Sequence, residues 1–165
     1  MKILKIYKET ISDGPGLRYS IYLSGCLHAC KGCHNIRSWS FKVGKVFDKE
    51  YEKSIIEDLK SNPLLNGVTF SGGDPMFSAI ELLPFIKLIK KETNLNIWLY
   101  TGFTIEEITE QKNINEDTRA RFEILKYIDT LVDGRFVKEL LDPNVLYRGS
   151  SNQRLIDTKE FLKKI

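Results

Sequence analysis

From Leu17 to Ser24 the chain is rich in β-formers, with Tyr19, Ile21, Tyr22 and Leu23 in close succession. That pattern predicts a buried strand, which Gly25 ends. Similar short runs recur downstream. Gly67–Ser71 carries Val68, Thr69 and Phe70; Leu95–Thr101 carries Ile97, Trp98, Leu99 and Tyr100; Asp129–Asp133 carries Thr130, Leu131 and Val132. Each reads as a strand, and Lys2–Tyr7 and Arg154–Ile156 add shorter candidates. Between these runs the apolar spacing changes to that of helices. Tyr51, Ile55, Ile56 and Leu59 share one face over Asp48–Lys60, and Asn62-Pro63 stops that helix. A second helix covers Ser78–Thr93, with Ser78 and Glu81 in capping-box positions and Pro84 bending it or delaying its start. A third begins at Thr104, where Glu106 and Glu107 suit the first turn. Asp117–Tyr127 and Thr158–Ile165 complete the helices, and Leu140–Ser151 reads as irregular.

Alternation of strand, loop and helix predicts an α/β fold of parallel strands with right-handed crossovers, in one domain over residues 1–165. With about four or five such strands it would be a partial, open βα barrel rather than a closed one. The segments richest in chemistry follow strand ends: Cys26–His34, Gly72–Pro75, Thr101–Gly102 and Asp133–Gly134. In a parallel sheet or barrel these ends converge on one rim, where ligands bind.

Composition is that of an ordinary globular protein, 42% apolar and 28% charged, so disorder is not expected. A net charge of +3 is too small for the basic stripe of a nucleic-acid binder. The amino-terminal Met1–Tyr7 alternates charged and apolar residues and lacks the apolar core of a signal peptide, and no run is long enough to span a bilayer. A cytoplasmic location without membrane attachment is therefore expected, where thiols stay reduced.

In that setting three clustered cysteines are ligands more readily than disulfides. Cys26, Cys30 and Cys33 follow a Cys-x3-Cys-x2-Cys spacing, and the same stretch holds both histidines, His28 and His34. Three thiolates can hold three irons of a four-iron cluster and leave the fourth open for chemistry. The competing reading is zinc held by three cysteines and His28 or His34. Zinc sites usually draw ligand pairs from separate hairpins. Here all ligands share one loop, and the neighbours Cys33 and His34 would struggle to face one ion, so the cluster is favoured. Downstream, Gly72-Gly73-Asp74-Pro75 combines a glycine pair that lets backbone approach a ligand with a carboxylate that could meet an ammonium. Its structural alternative is a helix start, with Asp74 as cap and Pro75 in the first turn. Asp13-Gly14-Pro15-Gly16 is, on its residues alone, a turn. The strand aromatics Tyr19, Tyr22, Phe70, Trp98 and Tyr100 are assigned to the core.

The cysteine spacing after a first strand resembles the signature of radical S-adenosylmethionine enzymes. The preceding Asp13-Gly14-Pro15-Gly16-Leu17-Arg18 and the following His34-Asn35 narrow the resemblance to activases of glycyl radical enzymes. Val132-Asp133-Gly134-Arg135-Phe136 and Arg148–Arg154 resemble the branch serving the anaerobic ribonucleoside-triphosphate reductase. The resemblance implies a [4Fe-4S] cluster on Cys26, Cys30 and Cys33 and S-adenosyl-L-methionine as cosubstrate. Its implied contacts are Gly72, Gly73 and Asp74 at the methionine amino group, the backbone near Gly32 and His34 at the adenine, and Thr101 and Asp133 at the ribose or carboxylate. It implies that Asp13, Gly14, Pro15 and Gly16 line the opening for the partner's glycine loop. The implied partners are the large glycyl radical subunit and an external one-electron reductant, flavodoxin or similar. No side chain is required as a general acid or base. Gly32 stands where many relatives carry an aromatic residue, and Tyr100 where related activases carry an acidic one. A different glycyl radical enzyme as partner, of the pyruvate formate-lyase type, and a plain iron–sulfur electron carrier or a zinc-stabilised binding module are the alternatives.

Overall fold

The computed structural model describes residues 1–33 and 36–165. Seven strands form one sheet: β1 (Lys2–Thr10), β2 (Arg18–Leu23), β3 (Lys45–Val46), β4 (Gly67–Gly72), β5 (Asn96–Tyr100), β6 (Thr130–Asp133) and β7 (Arg154–Asp157). Their order is β3-β1-β2-β4-β5-β6-β7. The central four, β2, β4, β5 and β6, are parallel, as the alternation of elements predicts. The flanks depart from it, because β1 pairs antiparallel with β2 and β3, and β7 antiparallel with β6. The reason is connection length. A short turn joins β1 to β2, and the chain between β6 and β7 holds only a 3-10 turn at Lys138–Leu140 and a bridge of Leu141 to Ser150. A parallel return needs a crossover element, which neither link supplies. The two-residue β3 is too short to show in the hydrophobic pattern.

Helices α1 (Lys49–Ser61) and α2 (Ala79–Glu92) make the crossovers to β4 and β5, and α3 (Ile105–Glu110) with α4 (Glu116–Ile124) makes the one to β6. A final helix, α5 (Thr158–Lys163), follows β7. Caps define the starts. Asp48 accepts from Tyr51 N on α1, Thr104 and Glu107 form a reciprocal capping box on α3, and Asn115 and Thr118 do so on α4. The box expected at Ser78 and Glu81 does not form. A 3-10 turn over Pro75–Ser78 already leads into α2 and is capped by Asp74, while Glu81 accepts from the Met1 amino group at 2.7 Å. Among the described residues, no helix is long and apolar enough to cross a membrane.

The period of two along the strands gives the sheet two different faces. Tyr19, Ile21, Leu23, Val68, Phe70, Ile97, Leu99 and Leu131 enter the apolar core with α1, α2 and α4. Tyr19 reaches Asp58 of α1, and Phe70 packs on Phe85 of α2. Alternate positions point the other way, and that face is polar and aromatic: Arg18, Ser20 and Tyr22 on β2, Thr69 and Ser71 on β4, Trp98 and Tyr100 on β5. A sheet burying polar groups on one face must supply them with partners or a ligand. The Ser12–Gly16 turn covers part of this face and takes several of the bonds described below.

Candidate active site

All four parallel strands deliver a chemistry-bearing segment at their carboxyl ends. The cysteine loop leaves β2 through Ser24 and Gly25, and two backbone bonds, Gly25 N to Ser38 O and Cys26 N to Trp39 O, return its far end to its start. Cys26, Cys30 and Cys33 are half-buried, form no disulfide, and line one cleft with Ser71, Gly72, Gly73, Asp74, Tyr100, Thr101 and Gly102. Burial pushes the Cys26 thiol up to about 11, with the nearby Asp74 charge adding to the rise. Among the described residues, no three or more His, Cys, Asp or Glu side chains are grouped so as to hold a single metal ion. His34 lies outside the described residues.

The glycine pair lets backbone meet backbone. A Cβ on Gly73 would stand 2.6 Å from both Gly25 O and Ser38 O, so only glycine lets the end of β4 press against the root of the cysteine loop. Gly73 N donates to Leu23 O and Asp74 N to Gly25 O. The Asp74 carboxylate is 1% exposed. Its Oδ1 accepts from Met76 N at 2.9 Å, and its Oδ2 accepts from Thr101 Oγ1 at 2.9 Å and Gly102 N at 2.8 Å and meets His28 Nε2 at 2.6 Å. It thus joins the cysteine loop, the end of β5 and the start of the turn before α2.

Other expected contacts are distributed differently. Thr101 lines the cleft, but its hydroxyl donates to Asp74 and accepts from Phe103 N. Asp133 is 1% exposed, and its carboxylate accepts from Ile105 N at the start of α3 and from Arg154 Nε and Nη2. Its neighbours Val132 and Gly134, not its side chain, border the cleft. Gly32 is exposed and stands against the Lys138 side chain. Arg135 forms an outer ion pair with Glu107 at 3.1 Å.

On the sheet's polar face, Asp13 accepts from Tyr22 Oη at 2.5 Å, and its carbonyl accepts from Thr69 Oγ1. Arg18, 1% exposed, donates to Pro15 O and thereby holds the turn from beneath. Gly14 is buried, while Pro15 and Gly16 are exposed. Beside this turn lies a hollow of about 490 Å³ lined by Lys5, Tyr7, Thr10, Ser12, Tyr22 and Arg37. It is larger than the thiol cleft of about 140 Å³, but the thiols and the glycine pair locate the chemistry in the smaller one.

Two site features escape the pattern-based reading. Tyr100, assigned to the core, borders the cleft, because its alternate position on β5 faces the polar side. His28, weighed as a zinc ligand, has a side chain only 4% exposed, bonded to Asp74 and packed against Phe77 and Phe103 at ring distances of 4.9 and 4.6 Å. Arg121 lies over Phe103 and donates to Met76 O behind that group. The local signal was Gly102, where a Cβ would fall 2.5 Å from the imidazole.

Comparison with known proteins shows the family. Residues 12–156 match the family model described as a 4Fe-4S single cluster domain. The chain is 42% identical over 157 residues to the anaerobic ribonucleoside-triphosphate reductase-activating protein of Haemophilus influenzae, covering 93% of this chain and 96% of that one. The Escherichia coli K12 protein of the same name is 35% identical over 157 residues, with the same 93% and 96% coverage. That of phage T4 is 34% identical over 154 residues, covering 92% of this chain and 90% of its own. With a family model matched over residues 12–156 and relatives 34–42% identical over nearly the full length of both chains, the chain belongs to the family of anaerobic ribonucleoside-triphosphate reductase-activating proteins.

Proposed function

We propose that this protein is the activase of an anaerobic ribonucleoside-triphosphate reductase, using a [4Fe-4S] cluster and S-adenosyl-L-methionine to place a glycyl radical on the large subunit. The observation that carries the reading is that three thiols from one short loop face a single cleft floored by Gly72 and Gly73. The donor set fits the cluster: three soft ligands satisfy three irons and leave one for a cosubstrate. A cluster held there would supply the one electron that splits S-adenosylmethionine into methionine and a 5′-deoxyadenosyl radical, the species that would take a hydrogen atom from the partner's glycine.

The chain's own residues hold, orient and shield. Cys26, Cys30 and Cys33 hold the cluster. The main chain of Gly72, Gly73 and Asp74, where the β4 ladder runs out, offers acceptors to the methionine ammonium. Thr101 lines the cleft and orients Asp74, and Asp133 acts one layer behind on the start of α3. Tyr100 forms a wall of the cleft. The Asp13–Gly16 turn, with the neighbouring hollow of about 490 Å³, receives the glycine-bearing loop of the reductase. One domain in the form of a partial barrel suffices, because the partner closes the open side. An external one-electron reductant, flavodoxin or similar, completes the cycle in an anaerobic cytoplasm.

The test is anaerobic reconstitution with iron and sulfide, reduction, and addition of S-adenosylmethionine with and without the reductase. The expected results are 5′-deoxyadenosine from the chain and a glycyl radical signal on the partner. Cys26→Ala, Cys30→Ala and Cys33→Ala each lose both. Full activity in any of the three would overturn the cluster assignment, and an iron-loaded, reducible protein that cleaves nothing would make it an electron carrier.

A further inference from the structure

We propose that His28 and Asp74 form a positioning pair, in which the buried carboxylate docks the cysteine loop on the sheet rim and does not itself bind the ammonium of the cosubstrate. The proposal deepens the activase reading and rests on it for the identity of the cosubstrate. The docking itself rests on contacts within the chain.

A carboxylate presents about four lone-pair positions. At Asp74, Oδ2 alone is approached by His28 Nε2, Thr101 Oγ1 and Gly102 N, and Oδ1 accepts from Met76 N. With 1% of the residue exposed, an ammonium would have to displace one of these donors to reach it. The four donors come from three stretches, the cysteine loop, the end of β5 and the turn before α2, and the shortest contact, 2.6 Å, is the one to the cysteine loop. His28 lies midway between Cys26 and Cys30, so fixing its ring fixes the backbone from which both thiols project. The surroundings are built for that ring. Phe77 and Phe103 pack on it, and Gly102 leaves the space that a Cβ, at 2.5 Å, would take. Once the side chain is committed in this way, the motif is left to meet a ligand through its main chain.

The primary measurement uses the metal-free protein: amide hydrogen exchange across residues 25–33, with β4 amides as the internal reference. His28→Leu and Asp74→Asn each remove the charged hydrogen bond. Local opening of the loop should speed exchange there about tenfold or more. The double variant should be no faster than the faster single one, because both changes break one link. His28→Gln keeps a donor near the Nε2 position and should stay within about threefold of the native protein. The second measurement is the dissociation constant of S-adenosylmethionine from the reconstituted protein. His28→Leu and Asp74→Asn should weaken it by similar factors, and His28→Gln should restore it. The proposal is overturned if Asp74→Asn weakens binding while exchange in the loop stays native, or if His28→Leu leaves both unchanged. A variant whose β4 amides also exchange fast has lost the fold, and the His28→Gln comparison then decides: exchange as fast as in His28→Leu refutes the pair. Failure of the native protein to hold iron would overturn the activase reading while leaving the exchange result to stand or fall alone.

Discussion

Replacing Arg18 by lysine tests how the partner-facing turn is held. Arg18 is 1% exposed, and its guanidinium reaches five acceptors: Nε donates to Thr69 Oγ1, Nη1 to Pro15 O, and the two hydrogens of Nη2 are shared among Val68 O, Asn96 O and Asn96 Oδ1. None of these acceptors is a carboxylate, and burial lowers its pKa to about 10, which still leaves it charged at neutral pH. Lysine has three donors on one nitrogen, so at least two acceptors lose a partner. At about 1–2 kcal/mol for each buried acceptor left unmet, the loss is about 2–4 kcal/mol. Lysine also begins from a lower pKa, about 10.4, and the same burial would drive it toward the neutral form, which weakens what remains. With a urea m-value of about 2 kcal/mol/M, the unfolding midpoint of the metal-free protein should fall by about 1–2 M at unchanged m. Limited proteolysis should show new cleavage within residues 11–17, because Pro15 O is the acceptor nearest the surface. A midpoint shift worth less than about 0.5 kcal/mol would refute the claim that the fork, rather than the charge, holds the turn.

Two further changes probe the frame around the site. Arg154→Ala removes two of the three donors on the buried Asp133 carboxylate and an ion pair to Glu106. Arg154 is half exposed, so the cost is put at about 1–2 kcal/mol, seen as a Tm lower by about 3–6 °C, and an unchanged Tm would show that Ile105 N alone satisfies Asp133. Asp129 titrates below its ordinary carboxylate range: burial would raise it, but the Ile97 N–H and the Lys90 and Lys159 ammonium groups outweigh burial. A depressed folded pKa stabilises above the unfolded value, about 3.9, and the contribution is lost as pH falls through the folded pKa. Thermal melts from pH 6 down to pH 2 should therefore lose stability below about pH 4, and Asp129→Asn should remove part of that slope.

The central sheet was legible because its strands are short apolar runs separated by helical periods, and those periods carry topology with them. The flanks were not. Nothing in the hydrophobic pattern of Lys2–Thr10 states its direction; the length of the link to β2 does, and that link is a turn. The capping signal at Ser78 and Glu81 was outcompeted because Asp74-Pro75 starts a turn four residues earlier and hands it on to α2. The continuous apolar run Ile97–Tyr100 hides the two faces of β5: Ile97 and Leu99 enter the core, while Trp98 and Tyr100, read as core because aromatic residues are usually buried, lie on the polar face. The neighbour of Tyr100 on the polar face, Ser71, lines the same cleft, so this side of the sheet faces the site.

Within the site, sequence located segments better than it located atoms. Cys-x3-Cys-x2-Cys and Gly72-Gly73-Asp74 were placed on one rim by topology alone, since both follow parallel strands. A motif cannot show which part of a residue is spent on the fold. That is settled by what approaches it: two backbone N–H groups, a hydroxyl and an imidazole for Asp74, and a guanidinium and a helix start for Asp133. Both carboxylates are 1% exposed. A carboxylate 1% exposed and already met by three or four protein donors has little left to offer a ligand ammonium. On the proposed activase reading, the Asp74 and Asp133 carboxylates would serve the frame of the cleft, and recognition of a small charged cosubstrate would fall to main-chain groups and the cluster. On that division of labour, conservative changes at Asp74 should act on the geometry of the cysteine loop first and on cosubstrate affinity only through it.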